Sequence, residues 1–180
     1  MITASFTLTD VAFAVCTALD SAGFIVVLTG GSAATFYAPD AYQSLDLDFV
    51  VTLAGDAGEQ ALLSLGYVRK SDFYKHPSSP YPLEFPPGPL AVGDDLITRW
   101  ETAKRPGEIL YVLSPTDSCR DRLASFLFWN DFSGLEQALA VVRARPMEVD
   151  LAAVEAWCRR ENQLQKFLLF TSRLNPSGEK

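Results

Sequence analysis

Leu45-Asp46-Leu47-Asp48-Phe49-Val50-Val51 alternates apolar and acidic residues before ending in a β-branched pair. Successive side chains of a strand point to opposite faces, so Leu45, Leu47, Phe49 and Val51 are predicted to line one side. Asp46 and Asp48 then share the other, roughly 6.6 Å apart along the strand. Two carboxylates so placed repel each other, and aspartate is a poor strand former. A divalent cation relieves both costs. Magnesium suits the arrangement, because it takes one or two carboxylates and completes its octahedron with water and phosphate oxygens. An Asp-x-Asp pair also occurs on exposed edge strands without any ligand, so the surrounding residues decide the reading.

Upstream, Phe24 to Leu28 is a continuous apolar run, which predicts a buried central strand. Thr29-Gly30-Gly31-Ser32 breaks it, and a short helix is predicted from Ala33 to Tyr37. Glycines let backbone approach a phosphate, and a helix N-terminus offers unsatisfied amides at its positive end. The same turn, taken alone, is an ordinary strand-to-helix connection. Downstream, Pro82-Leu83-Glu84-Phe85 points Leu83 and Phe85 one way and Glu84 the other. If that strand lies beside the Asp strand, three carboxylates approach one site, as two-metal phosphoryl transfer requires. Alone, Glu84 reads as a surface glutamate on an edge strand.

The remaining pattern extends an α/β reading. Thr9-Asp10 opens a helix through Leu19, with Gly23 beyond its end. Helix is predicted again over Gly55 to Leu65, and strands over Tyr67 to Lys75, Pro82 to Phe85 and Ile109 to Leu113. From Pro115 onward the periodicity is helical: Thr116 to Trp129 with Thr116 as N-cap, Ser133 to Arg143, and Asp150 to about Leu174 with Asp150 as N-cap. The predicted fold class is thus α/β (α+β), a small mixed sheet flanked by helices. The expected division is a core over 1–114, a helical part packed on it over 115–174, and a flexible tail over 175–180.

Composition narrows the function classes. Of 180 residues, 48% are hydrophobic and 21% charged, which are ordinary globular values. No apolar run reaches the ~20 residues of a membrane span, and no basic start with a cleavage site opens the chain, so a soluble cytoplasmic protein is expected. The net charge of −7 is uneven. Residues 1–118 carry 6 basic and 14 acidic side chains, and residues 119–180 carry 9 and 8. Non-specific nucleic-acid binding by the whole surface is therefore disfavoured, though the C-terminal half can still hold a basic patch. Cys16, Cys119 and Cys158 are odd in number and widely spaced, so they read as small core residues. The single histidine, His76, cannot build a zinc site alone.

Taken together, the Gly30-Gly31-Ser32 turn, the Asp46/Asp48 strand and the later Glu84 resemble the nucleotidyltransferase superfamily, the polymerase-β-like fold. Leu28 to Ala34 followed by Leu45 to Phe49 looks more narrowly like the small bacterial nucleotidyltransferases of the abortive-infection toxin type. The resemblance spans roughly residues 10–140. It implies a transferase that moves a nucleoside monophosphate from a nucleoside triphosphate such as ATP to an acceptor hydroxyl. Asp46, Asp48 and Glu84 would be its catalytic and metal-binding acids, with Mg2+ or Mn2+ as cofactor. Gly30, Gly31 and Ser32 would bind the nucleotide, joined by Arg120 or Arg122 from the helix after Ser114, since guanidinium suits phosphate geometry. Lys70 and Lys75 are alternative phosphate contacts, and Phe73, Tyr74 and Tyr81 are candidates for a base or acceptor. Trp100, Phe126, Phe128, Trp129 and Trp157 are spaced for helix packing. This chain departs from the family pattern by carrying arginine where lysine is usual and glutamate where the third acid is commonly aspartate. RNA, a protein side chain or a small molecule is open as acceptor, and a toxin–antitoxin pairing would add an antitoxin protein partner. The alternative is a catalytically inactive protein of this fold used for binding or regulation.

Overall fold

The computed structural model describes residues 2–51 and 57–174. Its first helix, α1 (Leu8–Ser21), starts two residues earlier than Thr9-Asp10 suggests, because Thr7 forms the N-cap. Thr7 Oγ1 accepts the Asp10 N–H at 3.2 Å, and Asp10 Oδ2 accepts the Thr7 N–H at 3.0 Å, a reciprocal capping box. Strand β1 (Val27–Thr29) is buried throughout, and it runs directly into α2 (Gly30–Tyr37). Strand β2 (Leu47–Val50) follows, then α3 (Ala57–Ser64). The opening residues of the predicted 55–65 helix, and the 175–180 tail, lie outside the described residues.

The next segment forms β3 (Val68–Lys70), β4 (Phe73–His76) and β5 (Ser79–Glu84), so the single strand expected over 67–75 is a tight hairpin turning at Ser71-Asp72. A small hairpin of β6 (Ala91–Val92) and β7 (Asp95–Leu96) precedes β8 (Glu101–Arg105) and β9 (Glu108–Val112). Strand β8 carries Glu-Thr-Ala-Lys-Arg and has no apolar alternation to announce it. It exists by pairing antiparallel with β9 at the sheet edge, where charge discourages further pairing. Seven strands form one mixed sheet in the order β3-β4-β5-β2-β1-β9-β8.

The C-terminal helices are α4 (Pro115–Trp129), α5 (Phe132–Ala144), α6 (Leu151–Arg160) and α7 (Leu164–Leu174). Ser114, rather than Thr116, caps α4, accepting the Asp117 N–H at 3.0 Å with Pro115 in the first turn. Thr116 Oγ1 instead accepts the Asp150 N–H at 2.9 Å, tying α4 to the start of α6. Asp150 caps α6 as expected, accepting from Ala153 N–H at 3.0 Å. The single helix predicted from 150 to 174 is broken around Asn162, whose φ is +57°. The break lets α7 turn back on α5, burying Phe167 and Phe170 and bringing Lys166 Nζ to the last carbonyls of α4, at 3.1 Å from Phe126 O.

The buried residues make one core that runs from Ile2 through the sheet to Phe170. Leu47, Phe49 and Leu83 point into it from β2 and β5, whereas Leu45, expected on the same face, is 82% exposed because the strand starts only at Leu47. All three cysteines are free and buried, as their apolar settings indicated. Phe126 and Trp157 are core residues, but Trp129 is 74% exposed at the end of α4. Trp100 lies between β7 and β8, outside any helix. No helix among the described residues is long and apolar enough to cross a membrane.

Phe49 is fully buried on a central strand whose neighbours, β1 and β5, carry their own core residues, so the site cannot collapse easily. Phe49→Ala is expected to cost about 3–5 kcal/mol. Urea unfolding should show a lower midpoint at an unchanged slope.

Candidate functional site

The register of the sheet sets the site. Thr29 pairs with Asp48 across β1 and β2, and Asp48 pairs with Glu84 across β2 and β5. Directly opposed residues share a face, so Thr29, Asp48 and Glu84 form one row across the sheet. The row continues through Phe73, opposite Glu84, to Lys70, opposite Phe73.

Gly30 is the hinge between β1 and α2. Its φ is +63°, a conformation L side chains rarely adopt, and a Cβ built there would collide with Asp48 Oδ2. Nothing but glycine lets the carboxylate come this close to the backbone. Ser32 locks the approach from below: its Oγ donates to Thr29 O at 2.7 Å and accepts the Asp48 N–H at 3.2 Å. The hydroxyl is fully buried, so Ser32 holds the acid strand to α2 and does not reach the cleft. Gly31 is also buried, where a Cβ would come within 3.0 Å of Ser44 Oγ and 3.1 Å of the Tyr42 hydroxyl. No side-chain hydrogen bond caps α2 from Thr29, leaving its first-turn amides without that partner.

Asp46 is oriented by Ser44, whose Oγ donates to Asp46 Oδ1 at 2.9 Å. Ser44 is itself fixed by its N–H donating to Thr35 Oγ1 at 2.8 Å. Asp48 is half-buried, and burial first, then the neighbouring Asp46 and Glu84, push its carboxyl up to about 6. Arg122 acts in the opposite direction, and Asp121 adds a little to the rise. Glu84 is exposed at the end of β5. Among the described residues, none of Asp46, Asp48 and Glu84 is in a salt bridge. Nor are three His, Cys, Asp or Glu side chains already drawn together as a metal cage.

A cleft of about 240 Å³ opens at the Thr29 and Asp48 part of this row, lined also by Gly30, Asp121 and Arg122 and by the apolar Val50 and Leu90, whereas Asp46 and Glu84 are not among its lining residues. The two arginines of α4 part company here. Arg122 lines the cleft, held by Asp121 Oδ2 through Nε (2.9 Å) and Nη2 (2.7 Å). Arg120 is nearly buried elsewhere, donating to Asp117 Oδ1 at 2.9 Å and to Asp95 Oδ2 at 2.5 Å, with its guanidinium 5.0 Å from the Trp157 ring centre. It ties α4 to the β6–β7 hairpin and does not line the cleft. Asp121 was not distinguished by sequence, since an acid beside an arginine on a helix reads as an ordinary solvated pair. Tyr74 packs into the core, while Phe73 stays half-buried with Lys75 Nζ 5.3 Å from its ring centre.

No protein-family model matches the sequence, and no curated protein matches it. Among solved structures, the chain is similar to an antigenic nucleotidyltransferase-like protein from Paracoccidioides brasiliensis. The TM-score is 0.64 over 96% of this chain and 90% of that one, at 16% identity. At that identity the likeness is one of fold: this protein has a nucleotidyltransferase-like fold, with the acid strand at the centre of its sheet.

Gly30→Ala meets both a left-handed backbone and the Asp48 carboxylate, so it is expected to destabilise the protein by about 1–3 kcal/mol. Gly31→Ala, at an ordinary φ, should cost less in the same denaturation assay. In metal-free protein, Asp48 binds its proton more tightly when folded than when unfolded, since its carboxyl is raised from 3.8 to about 6. Its contribution to stability is therefore full below about pH 4 and is lost as the pH rises through about 6. Asp48→Asn should flatten that part of the stability–pH curve and leave the variant more stable than wild type at pH 7, as measured by thermal unfolding without divalent cations.

Proposed function

We propose that this protein is a metal-dependent nucleotidyltransferase that transfers a nucleoside monophosphate from a nucleoside triphosphate to an acceptor hydroxyl and releases pyrophosphate. One observation carries the reading: Asp48 sits half-buried beside Asp46 and Glu84, with no salt-bridging partner for any of the three among the described residues. Such a site costs folding energy and is relieved by a cation together with its phosphate ligand.

The donor set is all oxygen, which suits Mg2+ or Mn2+. Two carboxylates are enough where water and phosphate fill the remaining positions, so the residues present fit the group. The ion supplies Lewis-acid stabilisation of the charge that develops on the transferring phosphoryl group. Asp46, oriented by Ser44, and Asp48, whose N–H is accepted by Ser32 Oγ and whose carboxylate has room beside Gly30, would hold the ion. Glu84 completes the set or takes the proton of the acceptor hydroxyl as its oxygen bonds to the α-phosphorus. The bond from that phosphorus to the bridging oxygen breaks, and pyrophosphate leaves. The first turn of α2 offers amides to the phosphates, and Arg122 offers a guanidinium already oriented by Asp121. In the toxin-type version of this reading the acceptor is RNA and an antitoxin protein binds the chain.

A binding or regulatory role without turnover is the second reading. It is favoured by one fact: no three potential metal-binding side chains among the described residues are already gathered.

Thermal unfolding with each of four nucleoside triphosphates, with and without Mg2+, tests the site. A ligand bound only by folded protein adds about 2.7 kcal/mol of stability at a hundredfold excess over its Kd. The proposal expects a magnesium-dependent rise in Tm that is lost in Asp46→Asn/Asp48→Asn, and transfer of α-labelled phosphate to an RNA, protein or small-molecule fraction. Binding without any transfer assigns the second reading. No rise with any nucleotide, in folded protein, sinks the transferase reading and leaves the second.

A further inference from the structure

The charged cleft does not end at Val50 and Leu90. These same two residues line a second, smaller cavity of about 150 Å³, whose other walls include Ile25, Val27, Val51 and Trp100. The two cavities are thus neighbouring compartments of opposite character. One holds Asp48, Asp121 and Arg122. The other is lined by aliphatic side chains, the Gly88 backbone and one indole.

The sheet explains the polarity change. On β1, Thr29 and Val27 are two residues apart and share a face, as do Asp48 and Val50 on β2. Thr29 pairs with Asp48 and Val27 pairs with Val50, so a polar row gives way to an apolar row one step along the same face. The wall over the apolar row comes from the connection that leads into β8. Leu90 accepts the Ile97 N–H at 2.9 Å, which closes the β6–β7 loop, and Trp100 follows three residues later. The Trp100 ring is braced edge-on by Tyr111, with centroids 6.4 Å apart, and Tyr111 is anchored by donating its hydroxyl to Asp20 Oδ1 at 2.8 Å. Ile25 is 51% exposed beside it. An open, apolar, aromatic-walled recess next to a phosphate site has the chemistry to receive a flat heterocycle.

We infer that this recess is the nucleobase subsite of the bound nucleotide, with Trp100 the residue that stacks on the base. The inference rests on the nucleotidyltransferase reading of the neighbouring acids and adds what that reading leaves open. The nucleotide lies along β1 and β2, its phosphates over Thr29 and Asp48 and its base over Val27 and Val50. The described residues that line the recess contribute no charged side chain, so contact with the π-face, rather than ionic reading of the base edge, supplies the binding there.

The test compares ATP with inorganic tripolyphosphate, which keeps the phosphates and lacks the base, both with Mg2+. Binding is measured by calorimetry for wild type, Trp100→Ala and Trp100→Phe. Stacking on an aromatic residue predicts that ATP binds wild type about tenfold to a hundredfold more tightly than tripolyphosphate. That margin should vanish in Trp100→Ala and largely persist in Trp100→Phe, with tripolyphosphate binding equally well to all three. A second measurement does not depend on the alanine variant folding. In Trp129→Phe protein, Trp157 is buried, so quenching of indole fluorescence by ATP but not by tripolyphosphate reports on Trp100. If tripolyphosphate binds and ATP gains nothing over it, or if the margin survives Trp100→Ala, the recess is not the base subsite and the reading of the acids stands. If neither ligand binds with Mg2+, the reading of the acids falls and this inference falls with it.

Discussion

The carboxylate of Asp48 rests against the bare α-carbon of Gly30, and the arrangement of the site depends on that approach. A side chain at position 30 would push β2 away from the start of α2. The Ser32 hydroxyl could then no longer span Thr29 O and the Asp48 N–H, and the cleft would lose its floor. The contact is costly in its own right, since it half-buries a carboxylate next to two others and raises its proton affinity. Such a cost at the centre of the sheet, with a surrounding hydrogen-bond set that holds the acids still, is what the ligand of the proposed function would offset.

Around that contact the basic groups are divided by task. Arg122, steered by Asp121, is the cation of the cleft, and Arg120 binds the β6–β7 hairpin to the helical part through Asp95, which Arg160 also reaches at 2.6 Å. The hairpin carries Ala91 into the cleft wall, so the ion pair between the nearly buried Arg120 and the partly exposed Asp95 helps shape the cavity that Arg122 lines. Two residues apart on a helix, the arginines face different surroundings, and only packing distinguishes them.

Much of this was legible in the chain. The apolar–acid alternation of residues 47–50, the glycine turn after a buried run and the Asp150 cap of α6 are local signals, and local signals survive translation into structure. The readings that failed were those that needed partners. Strand β8 is formed by its pairing with β9, not by its own alternation. Leu45 matches the apolar period yet is solvent-exposed, because Ser44 and Asp46 form a hydrogen-bonded bend before the strand begins. The break between α6 and α7 is set by the burial of Phe167 and Phe170 against a helix far away in sequence, which the unbroken helical pattern of 150–174 could not reveal.

By itself, the sequence determined that Asp48 sits on a central strand between apolar residues that face the core, that a glycine-rich turn leads a helix in beside it, and that helices dominate the C-terminal half. The reason is that side-chain periodicity and backbone preference act over a few residues. Asp46, expected on the same strand face, falls instead in the bend before the strand begins. Tertiary structure alone decided that Glu84 lies opposite Asp48, that Ser32 serves the backbone rather than the cleft, that Arg122 and not Arg120 lines it, and that Trp100 borders an apolar extension of it. Those are matters of strand order, register and long-range packing. They join residues tens of positions apart, and no local pattern encodes which of them will meet.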